Sequence, residues 1–85
     1  MYFVYVLQSL STDLYYIGVT DHLLRRFHQH QTGRSTFTHG RGPWWMPYYE
    51  IFPDRRTALL RERELKSWKS VSRMARLIQS SGLRP

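Results

Sequence analysis

The chain has no cysteine in its 85 residues. That excludes disulfide staples and thiolate zinc sites, and it fits a reducing compartment. It also lacks an apolar run long enough to span a bilayer. The N-terminal stretch Tyr2 to Leu7 is short and has no basic residue before it, so it reads as neither signal peptide nor membrane helix. A cytoplasmic protein with no membrane partner is expected. No internal repeat, low-complexity tract or linker interrupts the sequence, so one small domain is expected over residues 1–80, with a frayed tail over 81–85. Negative charge is scarce as well. Six Asp and Glu stand against thirteen Lys and Arg, leaving +7 and a pI near 10.4, which favours a polyanionic partner such as nucleic acid. Eleven of the thirteen cations are arginine, the residue suited to planar, bidentate phosphate recognition.

What the chain does have is aromatic side chains, 15% of the total, enough to give so short a chain a core of its own. Phe3 to Leu7 and Tyr15 to Val19 are rich in β-branched and aromatic residues, and the polar segment between them predicts a β-hairpin. A four-residue connection, Ser9 to Thr12, would set Gln8 opposite Asp13, Leu7 opposite Leu14 and Tyr5 opposite Tyr16. Thr20-Asp21 then offers an N-cap for a helix over about His22 to Thr32, with Gly33 as its left-handed C-terminal cap. Leu23 and Phe27 mark its inward stripe, and spacing brings Arg26 and His30 onto or beside that side.

Arg34 to Pro43 reads as a polar loop carrying two arginines, Arg34 and Arg41, suited to the rim of a binding surface. Trp44 to Phe52 reads as a third strand, at a sheet edge because Pro47 cannot donate to a ladder. Asp54 caps a second helix running to about Ser67, with Ala58 and Leu65 on one stripe and Glu62 between them. A carboxylate there needs an arginine, a hydrogen-bond network or a metal ion to compensate it. After a break, Val71, Met74, Ala75 and Ile78 show the spacing of a third helix. The fold class is therefore α+β, three strands flanked by helices in the order β-β-α-β-α-α.

Phe3-Val4-Tyr5, then Tyr16-Ile17-Gly18, Arg26, His30 and Glu62 form an ordered set that resembles the GIY-YIG nuclease superfamily. It is most similar to the superfamily's small stand-alone bacterial members, the UPF0213 or excinuclease-like proteins. Phe3 stands where the family's first glycine would be, a departure common among those stand-alone members. The resemblance implies a three-stranded antiparallel sheet packed with helices and metal-dependent hydrolysis of phosphodiesters. It implies Tyr5, Tyr16, Arg26 and His30 as catalytic residues and Glu62 as the ligand of a single Mg²⁺ or Mn²⁺ ion.

The chemistry is consistent with such roles. A divalent ion lowers the pKa of a bound water, and an arginine offsets charge on the nonbridging oxygens. Tyr5 as a general base would need a cation to depress its pKa. Only one carboxylate falls on the proposed site face, and Asp13, Asp21 and Asp54 are assigned to turns and caps. Plainer alternatives stand beside these roles: Glu62 bridging to Arg26 or Lys66, His30 closing its helix as an imidazolium, and Trp44 and Trp45 serving only as packing. His22, His28 and His39 are expected on the surface. Nucleic-acid contacts are expected from Arg34, Arg41 and Lys66, with DNA favoured over RNA and a role in DNA repair or processing. A non-catalytic nucleic-acid-binding module on the same fold is the alternative, and a partner-binding protein with incidental charge is a third reading.

Overall fold

A computed structural model describes residues 1–34 and 37–80. The expected frayed tail over 81–85 lies outside the described residues. Three strands, β1 (Tyr2–Ser9), β2 (Tyr15–Thr20) and β3 (Trp44–Phe52), form one antiparallel sheet in the order β2-β1-β3. The helices are α1 (Leu23–Gln31), α2 (Arg55–Ser67) and α3 (Val71–Ser80), which gives the β-β-α-β-α-α succession.

Alternation along β1 sends its side chains into two separate cores. Val4 and Val6 join Ile17 of β2 and pack with Ala58, Leu65, Met74 and Ile78 of α2 and α3. Tyr5 and Leu7 face the opposite way and pack with Trp44 and with Leu23 and Phe27 of α1. Both sheet faces are thus covered, and each buried aliphatic side chain contributes about 1.5–3 kcal/mol. Val71, expected on the inward stripe of α3, is exposed, while Met74 and Ile78 are buried and Leu77 packs against them.

The hairpin register differs from expectation by two residues. Tyr5 faces Gly18, Leu7 faces Tyr16 and Gln8 faces Tyr15. The physical reason lies in the connection, which is longer than four residues. Ser9 donates to the Leu14 carbonyl, the buried Ser9 hydroxyl accepts from the amides of Ser11 and Thr12, and Asp13 takes a left-handed φ of 63°. Because the shift is even, Tyr5 and Tyr16 remain on one face.

β3 is an edge strand, as Pro47 requires. Pairing jumps from Val6 opposite Tyr48 to Gln8 opposite Trp45, so Met46 and Pro47 share the space across from Leu7 in a bulge. The cap of α1 is His22 and not Thr20 or Asp21: its Nδ1 accepts from the Arg25 amide at 3.2 Å. Asp54 caps α2 as expected, accepting from the Thr57 amide at 2.9 Å.

Candidate active site

Tyr5 lies across the middle of β2. Directly opposite it, Gly18 has no side chain, and a Cβ there would stand 2.4 Å from the phenol oxygen and 2.6 Å from Cζ. The glycine of Tyr16-Ile17-Gly18 is therefore the bed on which the Tyr5 ring rests. Tyr16, diagonal to Tyr5 on the same face, holds its ring centroid 6.3 Å from that of Tyr5 and 4.8 Å from that of His30.

Helix α1 supplies the polar partners from one face, with Arg26 and His30 at i and i+4. His30 is 1% exposed, and its Nε2 lies 2.8 Å from the Tyr5 hydroxyl. Its Nδ1 lies 2.9 Å from Oγ1 of Thr38, also buried, whose carbonyl accepts from the Trp44 indole at 3.2 Å. The Arg26 Nε donates to the Tyr5 oxygen at 3.4 Å, and its Nη1 donates to Gln29 at 3.0 Å. Gln31 fixes the end of α1 to β3, donating to the Trp44 carbonyl and accepting from the Trp44 amide at 2.7 and 2.9 Å.

Arginine only donates, so the Tyr5 oxygen accepts from Arg26; either ring nitrogen of His30 can carry its proton, and with the Tyr5 proton assigned to Nε2 the ring is the Nδ1–H tautomer, donating to Thr38. Burial, and secondarily the Arg26 charge, lowers the imidazole pKa to about 4, so the ring is neutral near pH 7. Burial also raises the Tyr5 phenol to about 12, against the smaller lowering effect of Arg26. The alternative of His30 as an imidazolium closing its helix does not fit this buried, neutral ring, and no neighbouring cation brings the Tyr5 phenol below its ordinary value.

A cleft of about 440 Å³ runs along β2, the free edge strand on this side of the sheet. Tyr5, Tyr16, Gly18, Arg26, Arg55 and Glu62 are among its lining residues. It gathers four of the five site residues expected from the sequence, and His30 stands behind it, reached through the Tyr5 hydroxyl. Glu62 lies 3.3 Å from Lys66 Nζ, the bridge named above as the plainer alternative, and its side chain is 19% exposed. Asp21, relieved of capping, also lines the cleft, with a loose 3.7 Å contact to Arg25.

Among the described residues, no group of three or more His, Cys, Asp and Glu side chains forms a metal cage. The donor set suits a hard, largely hydrated cation on one carboxylate and does not suit a fully protein-bound ion. Of the expected nucleic-acid contacts, Lys66 adjoins Glu62. The Arg41 guanidinium sits 5.0 Å over the Phe37 ring and donates to the Phe37 carbonyl, while Arg34 is exposed and does not line this cleft.

Sequence reasoning missed Gly18 as a steric requirement, Thr38 and Gln29 as orienting partners, and the exposed ridge of Arg55, Arg56 and Arg63 on α2. The ridge had a signal. Two arginines directly after the Asp54 cap, with no acidic residue in the first turn, oppose the helix dipole and call for a reason outside helix stability.

Comparison with known proteins agrees with this fold. The sequence pattern of the GIY-YIG catalytic domain matches residues 1–75. A UPF0213 protein of Haloquadratum walsbyi is 35% identical over 68 residues, spanning 79% of this chain and 75% of the relative. A UPF0213 protein of Nitratidesulfovibrio vulgaris is 34% identical over 83 residues, or 96% and 74% of the two chains. The solution NMR structure of a UPF0213 protein from Bacillus halodurans superposes with a TM-score of 0.60 at 30% identity, covering 96% of this chain and 87% of that one.

Proposed function

The chain belongs to the GIY-YIG catalytic-domain family, and on that premise we propose that it is an endonuclease. It hydrolyses phosphodiester bonds of nucleic acid, DNA in preference to RNA, in DNA repair or processing. One Mg²⁺ or Mn²⁺ ion, held at Glu62, serves the reaction. The observation that carries this reading is the hydrogen-bonded line Arg26, Tyr5, His30 and Thr38 meeting, at the Tyr5 hydroxyl, the same cleft that Glu62 lines.

When bound, the divalent ion supplies Lewis-acid stabilisation of the phosphate and of the leaving oxygen. The protein's own groups do the rest. Arg26, already aimed at the Tyr5 oxygen, donates to a nonbridging phosphate oxygen as charge grows there. Tyr5 takes a proton from the attacking water at Oη while passing its own proton to His30 Nε2. A phenol held near pKa 12 is thus never required to persist as phenolate. Thr38 keeps Nδ1 protonated and so leaves Nε2 open to receive. Tyr16 walls the cleft and orients the phosphate. The departing 3′ oxygen takes up a proton from solvent, leaving 5′-phosphate and 3′-hydroxyl ends, and His30 gives its added proton back to solvent through Tyr5. Arg41, Lys66 and Arg34 contact the nucleic-acid backbone, joined by Arg55, Arg56 and Arg63.

One contact favours the second reading, binding without cleavage. Lys66 sits where it would compete with a metal for Glu62. Labelled DNA and RNA substrates incubated with Mg²⁺ or Mn²⁺ separate the two. Nicking that disappears with EDTA and in Glu62→Gln is expected, whereas salt-sensitive binding with no cleavage under any metal would leave only the binding module.

A further inference from the structure

Beside the cleft lies a second, mostly apolar hollow of about 440 Å³, between β2, the end of α2 and the start of α3. Its size falls within the range of about 300–1,000 Å³ in which small ligands are held. Aromatic side chains Tyr16, Phe37 and Trp68 line it together with Lys66 and Lys69. Phe37 is 42% exposed, a large ring left partly in water on a small protein. Trp68 carries the Arg73 guanidinium at 4.1 Å and Phe37 the Arg41 guanidinium at 5.0 Å, while Tyr16 packs 5.4 Å from Phe37, so a planar guest would join an existing cluster of rings and cations at the exposed part of Phe37.

We propose that this hollow receives an unpaired nucleobase of the strand being cut, so that single-stranded or locally unpaired nucleic acid is the preferred substrate. The inference rests on the nucleic-acid reading above. One wall is shared with the cleft and another adjoins it. Tyr16 lines both spaces, and Lys66 lines the hollow while bonding to Glu62 in the cleft. A base seated here therefore belongs to a nucleotide next to the phosphate at Arg26 and Glu62. Aromatic faces with adjacent ammonium groups match a strand that offers π-faces and phosphates in alternation. A base inside an intact duplex reaches such a hollow only after leaving its stack, at a cost that an unpaired strand does not bear. A second copy of the chain is a poor occupant, because both partners would bring +7 to the contact.

The test measures binding in EDTA, at fixed salt, of a labelled 12-nucleotide mixed-sequence single strand and of its duplex, with wild type, Phe37→Leu and Lys69→Gln. The wild type is expected to prefer the single strand by tenfold or more. Phe37→Leu, which keeps bulk but removes the ring, is expected to lose about five- to a hundredfold on the single strand alone. One abasic site walked along the strand should weaken binding at a single position. Equal losses on both substrates, or none, overturn the inference. So does a wild-type dimer in sedimentation that Phe37→Leu dissolves. Cleavage that is indifferent to Phe37→Leu leaves the nuclease reading standing and removes the pocket. A single-strand preference lost in Phe37→Leu, with no cleavage by any form, does the reverse.

Discussion

Tyr5 is the residue on which packing and chemistry converge, and its hydroxyl cannot be removed without consequence for both. From the sequence, Tyr5→Phe looks like a change in chemistry alone. In the structure it leaves the buried His30 Nε2 without a partner, which costs about 1–3 kcal/mol. The expected outcome is slower single-turnover cleavage together with a melting temperature lowered by roughly 4–8 °C per kcal/mol. Tyr5→Phe combined with His30→Leu should be less destabilised than the sum of the two changes. Unchanged melting of Tyr5→Phe would show that the Tyr5–His30 bond does not hold in solution. Gly18→Ala tests the same ring from beneath, because the added methyl would overlap the phenol. Cleavage should be lost while the β2 register, read by NMR, survives. His30 also ties stability to pH. Its folded pKa of about 4 lies below the ordinary value near 6.5, so the unfolded chain binds the extra proton between those limits. The stabilisation is complete above about pH 6.5 and falls by up to about 3 kcal/mol as pH drops toward 4. Urea titrations of wild type and His30→Gln should show that fall only in the wild type, and parallel pH profiles would reject it.

Among the elements, α2 does two jobs from adjoining positions on one side. Ala58 and Leu65 seat it on the sheet, while Arg55 and Glu62 line the cleft. Its azimuth is set by Arg61, which grips both oxygens of Glu50 on β3 at 2.9 Å, reaches Glu64 at 2.9 Å and lies 5.7 Å over Trp68. The fork raises the arginine's pKa and lowers that of the Glu50 carboxyl, against the opposing effect of burial. Arg61→Lys keeps the charge and loses the fork. It should lower urea-unfolding stability by about 1–2 kcal/mol and turn Glu62 away from Tyr5, and wild-type stability in that variant would show that helix packing alone fixes α2. Much of this was legible in the sequence. Runs of β-branched and aromatic residues gave the strands, Asp54 gave the start of α2, and the 3.6 period put Glu62 among core positions. The hairpin register was not legible, because a left-handed Asp13 and the Ser9 hydroxyl lengthen the turn without any Gly-containing signature. Nor was the His22 cap, since an imidazole rarely takes that place. Thr38 and Phe37 lie in an aperiodic loop, where no pattern marks one side chain as buried beneath His30 and its near neighbour as exposed beside Tyr16.

At the scale of the whole molecule, the charge surplus is unevenly used. Arg61 is committed to Glu50 and Glu64, and Arg26 is turned inward to Tyr5. Arg55, Arg56 and Arg63 instead form an exposed ridge on α2 that joins the cleft through Arg55. A nucleic-acid backbone entering the cleft would meet that ridge, and each phosphate neutralised there releases counterions. Replacing all three arginines with alanine should therefore flatten the log-log dependence of affinity on salt by between two and three units on duplex DNA, at roughly 0.9 per contact. The same change removes Arg55 and Arg56 from the positive end of α2, so thermal stability should hold or rise slightly. The two readouts must move independently: lost affinity with lost stability would point to damaged structure, while an unchanged slope with retained affinity would take the ridge out of the interface. Arg34→Ala is the comparison on the loop side. Because Arg34 lines neither hollow, a fall of one unit in that variant would extend the phosphate path from α2 across the site to the loop, and no fall would confine it to the β2 edge.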